Sequence, residues 1–138
     1  LKFNTVEGVL RDRVVVIVDD SIVRGTTSQY LMDMVREAGA KEVHFRVAAP
    51  PVISPCFYGM DFPSFDELLA NKHDSIEDIG ETLGADSLAY LSVEGLMKAV
   101  NTANKSEHSY CNACFTKDYP VPVEMDFSKE ENEWQSTP

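Results

Sequence analysis

The 138-residue sequence carries 12 Lys and Arg against 23 Asp and Glu, for a formal net charge of -11, and is 43% hydrophobic. That is enough for one domain with a core and too little for two independent ones. The acidity argues against a general nucleic-acid binder and against docking on an anionic membrane, since both need clustered Lys and Arg, and no apolar run approaches the roughly 18–20 residues of a bilayer span.

No charged-then-apolar leader pattern opens the sequence, so no signal peptide is expected and a cytoplasmic location is. The first residue is Leu1 and not Met, so an excerpt or a processed product is expected.

In chain order, the first clear element is Arg13 to Asp19, a β-branched run with charged ends. Such a run suits a strand of a parallel sheet buried on both faces. A polar loop follows, Asp20 to Ser28, with one glycine. From Thr27 the pattern turns helical, with Tyr30, Leu31, Met34, Val35 and Ala38 on one face and Gly39 as its stop. Lys41 to Val47 alternates, with Val43, Phe45 and Val47 on one side and His44 and Arg46 on the other. Pro50-Pro51 closes that strand. Strand, loop, helix and strand make one βαβ unit, which requires parallel strands.

Residues Pro50 to Pro63 read as loop. Ser64-Phe65-Asp66-Glu67 has the form of a capping box and predicts a short helix through Ala70. Ser75 opens a further helix, with Ile76, Ile79 and Leu83 apolar and Gly84 ending it. Ser87 to Leu91 is a short strand, and Ser92 caps a helix carrying Val93, Leu96, Met97 and Val100. Beyond about Asn104 the periodicity fails, and the acidic residues from Asp126 on are expected to be disordered.

The chemistry concentrates in VVVIVDDSIVRGTTS, Val14 to Ser28. Ligands of open α/β sheets bind beyond the carboxyl ends of the strands. Asp19 and Asp20 stand at that end, and ionised carboxylates resist burial unless paired or bound to metal. They suit the vicinal hydroxyls of a ribose, or Mg²⁺. The small and hydroxyl residues that follow lead into a helix N-terminus, where free N–H groups and the helix dipole favour phosphate. Gly25 allows close backbone approach, and Thr26, Thr27 and Ser28 add hydroxyls. An isolated Asp-Ser would be only a turn and an N-cap; the ordered combination argues for a ribose 5-phosphate site. Neither a Walker A loop nor a dinucleotide fingerprint is present.

The residues alone leave Cys56, Cys111 and Cys114 open. An odd count argues against a disulfide framework. A small buried thiol with a coincidental C-x-x-C is one reading, and zinc completed by His108 is another. An iron–sulfur cluster wants four thiolates. His44 and His73 are placed in structural roles, Asp61 in a turn or at the cleft, and Arg24 on either a phosphate or an acid.

The segment VVVIVDDSIVRGTTS resembles the phosphoribosyl pyrophosphate (PRPP) motif of type I phosphoribosyltransferases, in the wording of the amidophosphoribosyltransferase family. REAGAKEVHFRVAAPP, PCFYGMDFPS, ELLA, LGADSLAYLSVEGL and CFTKDYPV agree, so that the resemblance runs from Leu1 to about Pro122. It implies an α/β fold, a parallel sheet with flanking helices that forms part of a type I phosphoribosyltransferase domain. It divides the chain into residues 1–104 of that domain, a cysteine-containing extension at 105–125 and an acidic tail at 126–138. It implies that Asp19 and Asp20 hold the ribose diol and Mg²⁺, and that Ser21, Ile22, Val23, Arg24, Gly25, Thr26, Thr27 and Ser28 cradle the 5-phosphate.

The implied reaction is attack of glutamine-derived ammonia on PRPP to form phosphoribosylamine, the first step of de novo purine synthesis, with purine nucleotides as feedback inhibitors and a homo-oligomeric whole enzyme. The glutaminase domain and the upstream half of the transferase domain would lie outside these residues, so the chain alone is expected to be incompetent. Cys56, Cys111 and Cys114 match three ligands of the [4Fe-4S] cluster in one branch of that family, the fourth lying upstream, with a structural role. A salvage phosphoribosyltransferase and a non-enzymatic PRPP-sensing domain are the alternatives on the same fold.

Overall fold

A computed structural model describes residues 7–61, 63–104 and 110–123. A one-turn helix, α1 (Glu7–Leu10), which the pattern did not announce, precedes β1 (Val14–Asp19). Helix α2 (Thr26–Glu37) leads to β2 (Glu42–Val47); α3 (Ile76–Leu83) leads to β3 (Ser87–Tyr90), followed by α4 (Val93–Asn104). The three strands form one parallel sheet in the order β1-β2-β3. The βαβ expectation holds, as do the alternation in β2 and the starts and stops of α3. Ser75 Oγ accepts from Asp78 N at 3.1 Å, and Gly84 adopts φ 75°.

The register aligns Val15, Ile17 and Asp19 with Val43, Phe45 and Val47, and the last two of these with Leu88 and Tyr90. This face meets α2 and α3. Its core includes Met32, Val35, Val43, Phe45, Ile79 and Leu83. Removing such side chains from water is the main stabilising term.

The opposite face corrects the expectation of a doubly buried first strand. Val14, Val16 and Val18 are 55%, 58% and 72% exposed. Strand β1 is at the sheet's edge; among the described residues its Val15 and Ile17 face the core and the opposite side stays open. Within this chain the continuous β-branched run forms a strand with one face buried and one exposed.

Two helical expectations also shift. Helix α2 buries Ser28, Met32 and Val35, with Ala38 buried just past its end, while Tyr30 is exposed. The phosphate-loop end turns Ser28 inward, and positions four and seven further on follow it. The Ser64 box forms its side-chain bonds but no α-helix: a turn at residues 65–67 leads into a single 3₁₀ turn, Leu69–Asn71. Leu68 is extended, and Leu69 N donates to Val23 O at 2.8 Å across the molecule instead of to its own helix. A second unannounced one-turn helix, α5 (Ala113–Thr116), lies in the C-terminal segment. The acidic tail from Asp126 lies outside the described residues.

Candidate functional site: a carboxylate pair and an anion loop

Strand β1 ends by presenting Asp19, half-buried, and Asp20, exposed. Asp19 Oδ1 accepts from Asp20 N at 2.9 Å, and Asp20 Oδ1 accepts from Ser21 Oγ at 3.3 Å. Ile22 then drops into the core at 3% exposure. It anchors the loop from below and does not line the hollow above it.

Gly25 takes φ 84°, the left-handed region that favours glycine, and starts α2 without any side-chain cap. The first bond into the helix runs from Gln29 N to Gly25 O at 2.8 Å. The four N–H groups before it have no intrahelical acceptor, which is the arrangement that takes up an anion. Asp19, Asp20, Ser21, Val23, Arg24, Gly25, Thr26, Thr27 and Ser28 surround one hollow of ≈ 330 Å³. The structure therefore gathers every sequence-predicted loop residue except Ile22.

A second segment braces the loop from outside. Arg24 Nε donates to Glu67 Oε1 at 3.0 Å. Glu67 Oε2 accepts from Ser64 N at 3.1 Å and from Ser64 Oγ at 3.0 Å. The Arg24 guanidinium, followed by the Ser64 N–H, holds the Glu67 carboxyl below the usual carboxylate range. Glu67 and Leu69 were not read as part of this site from the sequence. The Ser64–Glu67 box was the visible signal, but a helix reading assigned its carboxylate to capping alone.

The cysteines gather at a different place. Cys56 and Cys114 are half-buried and Cys111 is exposed, all as free thiols. Burial pushes the Cys114 thiol up, and the neighbouring Cys56 and Cys111 push in the same direction. Cys114 O accepts from Ile53 N at 2.9 Å and Ser54 N at 3.1 Å. Tyr119 Oη donates to Pro55 O at 2.6 Å and bonds Ser54 Oγ. The C-terminal segment is thus held on the 53–58 loop by hydrogen bonds. Among the described residues no three His, Cys, Asp or Glu side chains converge closely enough to hold a metal ion. His108 lies outside those residues. His44 bonds Ser87 Oγ at 2.8 Å, and neither His73 nor the exposed Asp61 lines the hollow.

A parallel α/β sheet with paired acids and a Gly-Thr-Thr loop at a strand's carboxyl end is a phosphoribosyltransferase-like fold. Comparison with known proteins narrows this further. The chain is 54% identical over 123 residues to the amidophosphoribosyltransferase of Archaeoglobus fulgidus, covering 89% of the chain and 26% of that protein. It is 48% identical over 127 residues to the Bacillus subtilis amidophosphoribosyltransferase, covering 91% and 26%. The solved B. subtilis glutamine PRPP amidotransferase, complexed with ADP and GMP, superposes with a TM-score of 0.79 at 48% identity, over 91% of this chain and 28% of that one. No family model matches the chain. Over nine tenths of its length the chain is homologous to amidophosphoribosyltransferases, and it spans about a quarter of the length of these relatives. Among the described residues no helix is long and apolar enough to cross a membrane.

Proposed function

We propose that the chain supplies the ribose 5-phosphate half of a PRPP site in an amidophosphoribosyltransferase that makes phosphoribosylamine from PRPP and glutamine-derived ammonia. One observation carries the reading: Asp19 and Asp20 share a single hollow with the uncapped N-terminus of α2. Asp19 and Asp20 accept hydrogen bonds from the ribose diol. The N–H groups of the loop and the hydroxyls of Thr26, Thr27 and Ser28 take the 5-phosphate. In this transfer ammonia forms a bond to C1 as the C1–pyrophosphate bond breaks, so the chain's part is to bind and orient the ribose.

Asp19 and Asp20 suit Mg²⁺, which is commonly held by one or two carboxylates plus the oxygens of a phosphorylated substrate; when bound it neutralises charge on the pyrophosphate. The finer assignments follow the same homology: purine nucleotides as inhibitors, a homo-oligomeric whole enzyme, a cytoplasmic location and the three-part division at residues 104 and 125. For a [4Fe-4S] cluster the ligands would be Cys56, Cys111 and Cys114 with a fourth thiolate from elsewhere. The described thiols do not converge on a metal position.

Calorimetry with Mg-PRPP tests the site. Asp19→Asn and Asp20→Asn should each weaken binding by about tenfold, the scale of a hydrogen bond to a charged group. Unchanged affinity in both variants overturns the assignment.

A further inference from the structure

Among the described residues, Arg24 is the only cationic one of those that line the hollow, beside two carboxylates. Its guanidinium is engaged through Nε alone: among the described residues no hydrogen bond is made by Nη1 or Nη2. The acceptor, Glu67, is fixed in turn by both the N–H and the hydroxyl of Ser64. The backbone repeats the link, with Leu69 N donating to Val23 O one residue before Arg24. A guanidinium is a rigid planar fork. Gripped at Nε, it keeps its Nη end for a second anion.

We infer that Glu67 is a positioning residue for the phosphate loop, holding Arg24 by Nε so that its Nη groups bind a phosphate oxygen of the ligand. This deepens the proposed ribose 5-phosphate reading and rests on it. The pair is about half-exposed, at 52% and 45% for the two side chains, so its Coulomb energy is small and screened. Its effect is geometric: it removes the rotamer freedom that a long arginine would otherwise lose on binding.

The test is a double-mutant cycle on the 138-residue chain. The probes are Mg²⁺-ribose 5-phosphate and inorganic phosphate, read from the Gly25, Thr26 and Thr27 amide resonances, with the amide spectrum as the check of fold. Arg24→Ala should weaken both probes about tenfold and Glu67→Ala several-fold. The double variant should lose no more than Arg24→Ala alone, because Glu67 acts through Arg24. Glu67→Gln keeps an acceptor for Nε and should stay within about twofold of the parent. Wild-type affinity in Glu67→Ala, losses that multiply in the double variant, or a Gln variant as weak as the Ala variant each overturns the inference. A parent chain that binds inorganic phosphate but not ribose 5-phosphate overturns the proposed function and leaves the Glu67 cycle readable with phosphate. A parent chain that binds neither overturns both.

Discussion

Leu69 forms the floor under Gly25: a β-carbon placed on Gly25 would stand 2.7 Å from Leu69 Cδ2. Two constraints therefore meet at one residue, a left-handed φ of 84° and a closed space below it. Gly25→Ala should lower stability by about 1–2 kcal/mol from the backbone conformation alone, with the steric conflict adding to it. It should also weaken anion binding, because the loop must lift from its floor. Leu69→Ala should cost about 2–5 kcal/mol by leaving a cavity. The double variant should lose less than the sum, since the smaller floor admits the new methyl. Urea unfolding of the four proteins reads all of this.

Asp86, between α3 and β3, ties the end of α2 to the start of β2. Its Oδ2 accepts from Val43 N and from Arg36 Nη2, both at 2.6 Å. The Val43 N–H, and then the Arg36 guanidinium, hold its carboxyl below the usual carboxylate range. A depressed folded-state pKa contributes stability above the unfolded value near 3.8 and loses it as pH falls through the lower folded value. Asp86→Asn should therefore destabilise at pH 7, with the gap to the parent closing below pH ~4. A gap that stays constant down to the lowest measurable pH would contradict this.

Much of this geometry was legible beforehand. Val43, Phe45 and Val47 alternate because β2 has a core on one side, and Ser75 with Gly84 bracket α3 by their capping chemistry alone. Asp19 and Asp20 were conspicuous because adjacent acids after an apolar strand have no place in a core. What escaped was long-range. The bonds from Leu69 to Val23 and from Glu67 to Arg24 each span more than forty residues, and no local pattern encodes them. The same competition dissolved the predicted helix after Ser64. Valine's β-propensity likewise reported the conformation of β1 and not its surroundings.

Tyr119 fastens the C-terminal segment. Ser54 is completely buried, and its hydroxyl bonds the Tyr119 phenol, which also donates to Pro55 O. Tyr119→Phe should cost about 1–3 kcal/mol, because a buried hydroxyl loses its partner. The loss should be local: amide exchange should accelerate at Ile53 and Ser54, which donate to Cys114 O, and much less in β2.

The two faces of the sheet should answer differently to one change. Val16→Thr, at a 58% exposed position, should alter stability by no more than about 0.5 kcal/mol. Val43→Thr, at a site with no exposure, should cost about 1–3 kcal/mol by burying a hydroxyl. Equal effects in thermal or urea unfolding would mean that both faces of the sheet are covered.

The uncovered valines of β1 also have a consequence at the bench. A contact made through Val14, Val16 and Val18 is driven by the release of ordered water, so it strengthens with sulfate and weakens on cooling. Self-association through that strip would be least on ice and greatest in a warm, salted-out preparation, the reverse of what a charge-mediated contact on so acidic a chain would do. Light scattering across temperature, at fixed protein concentration, separates the two.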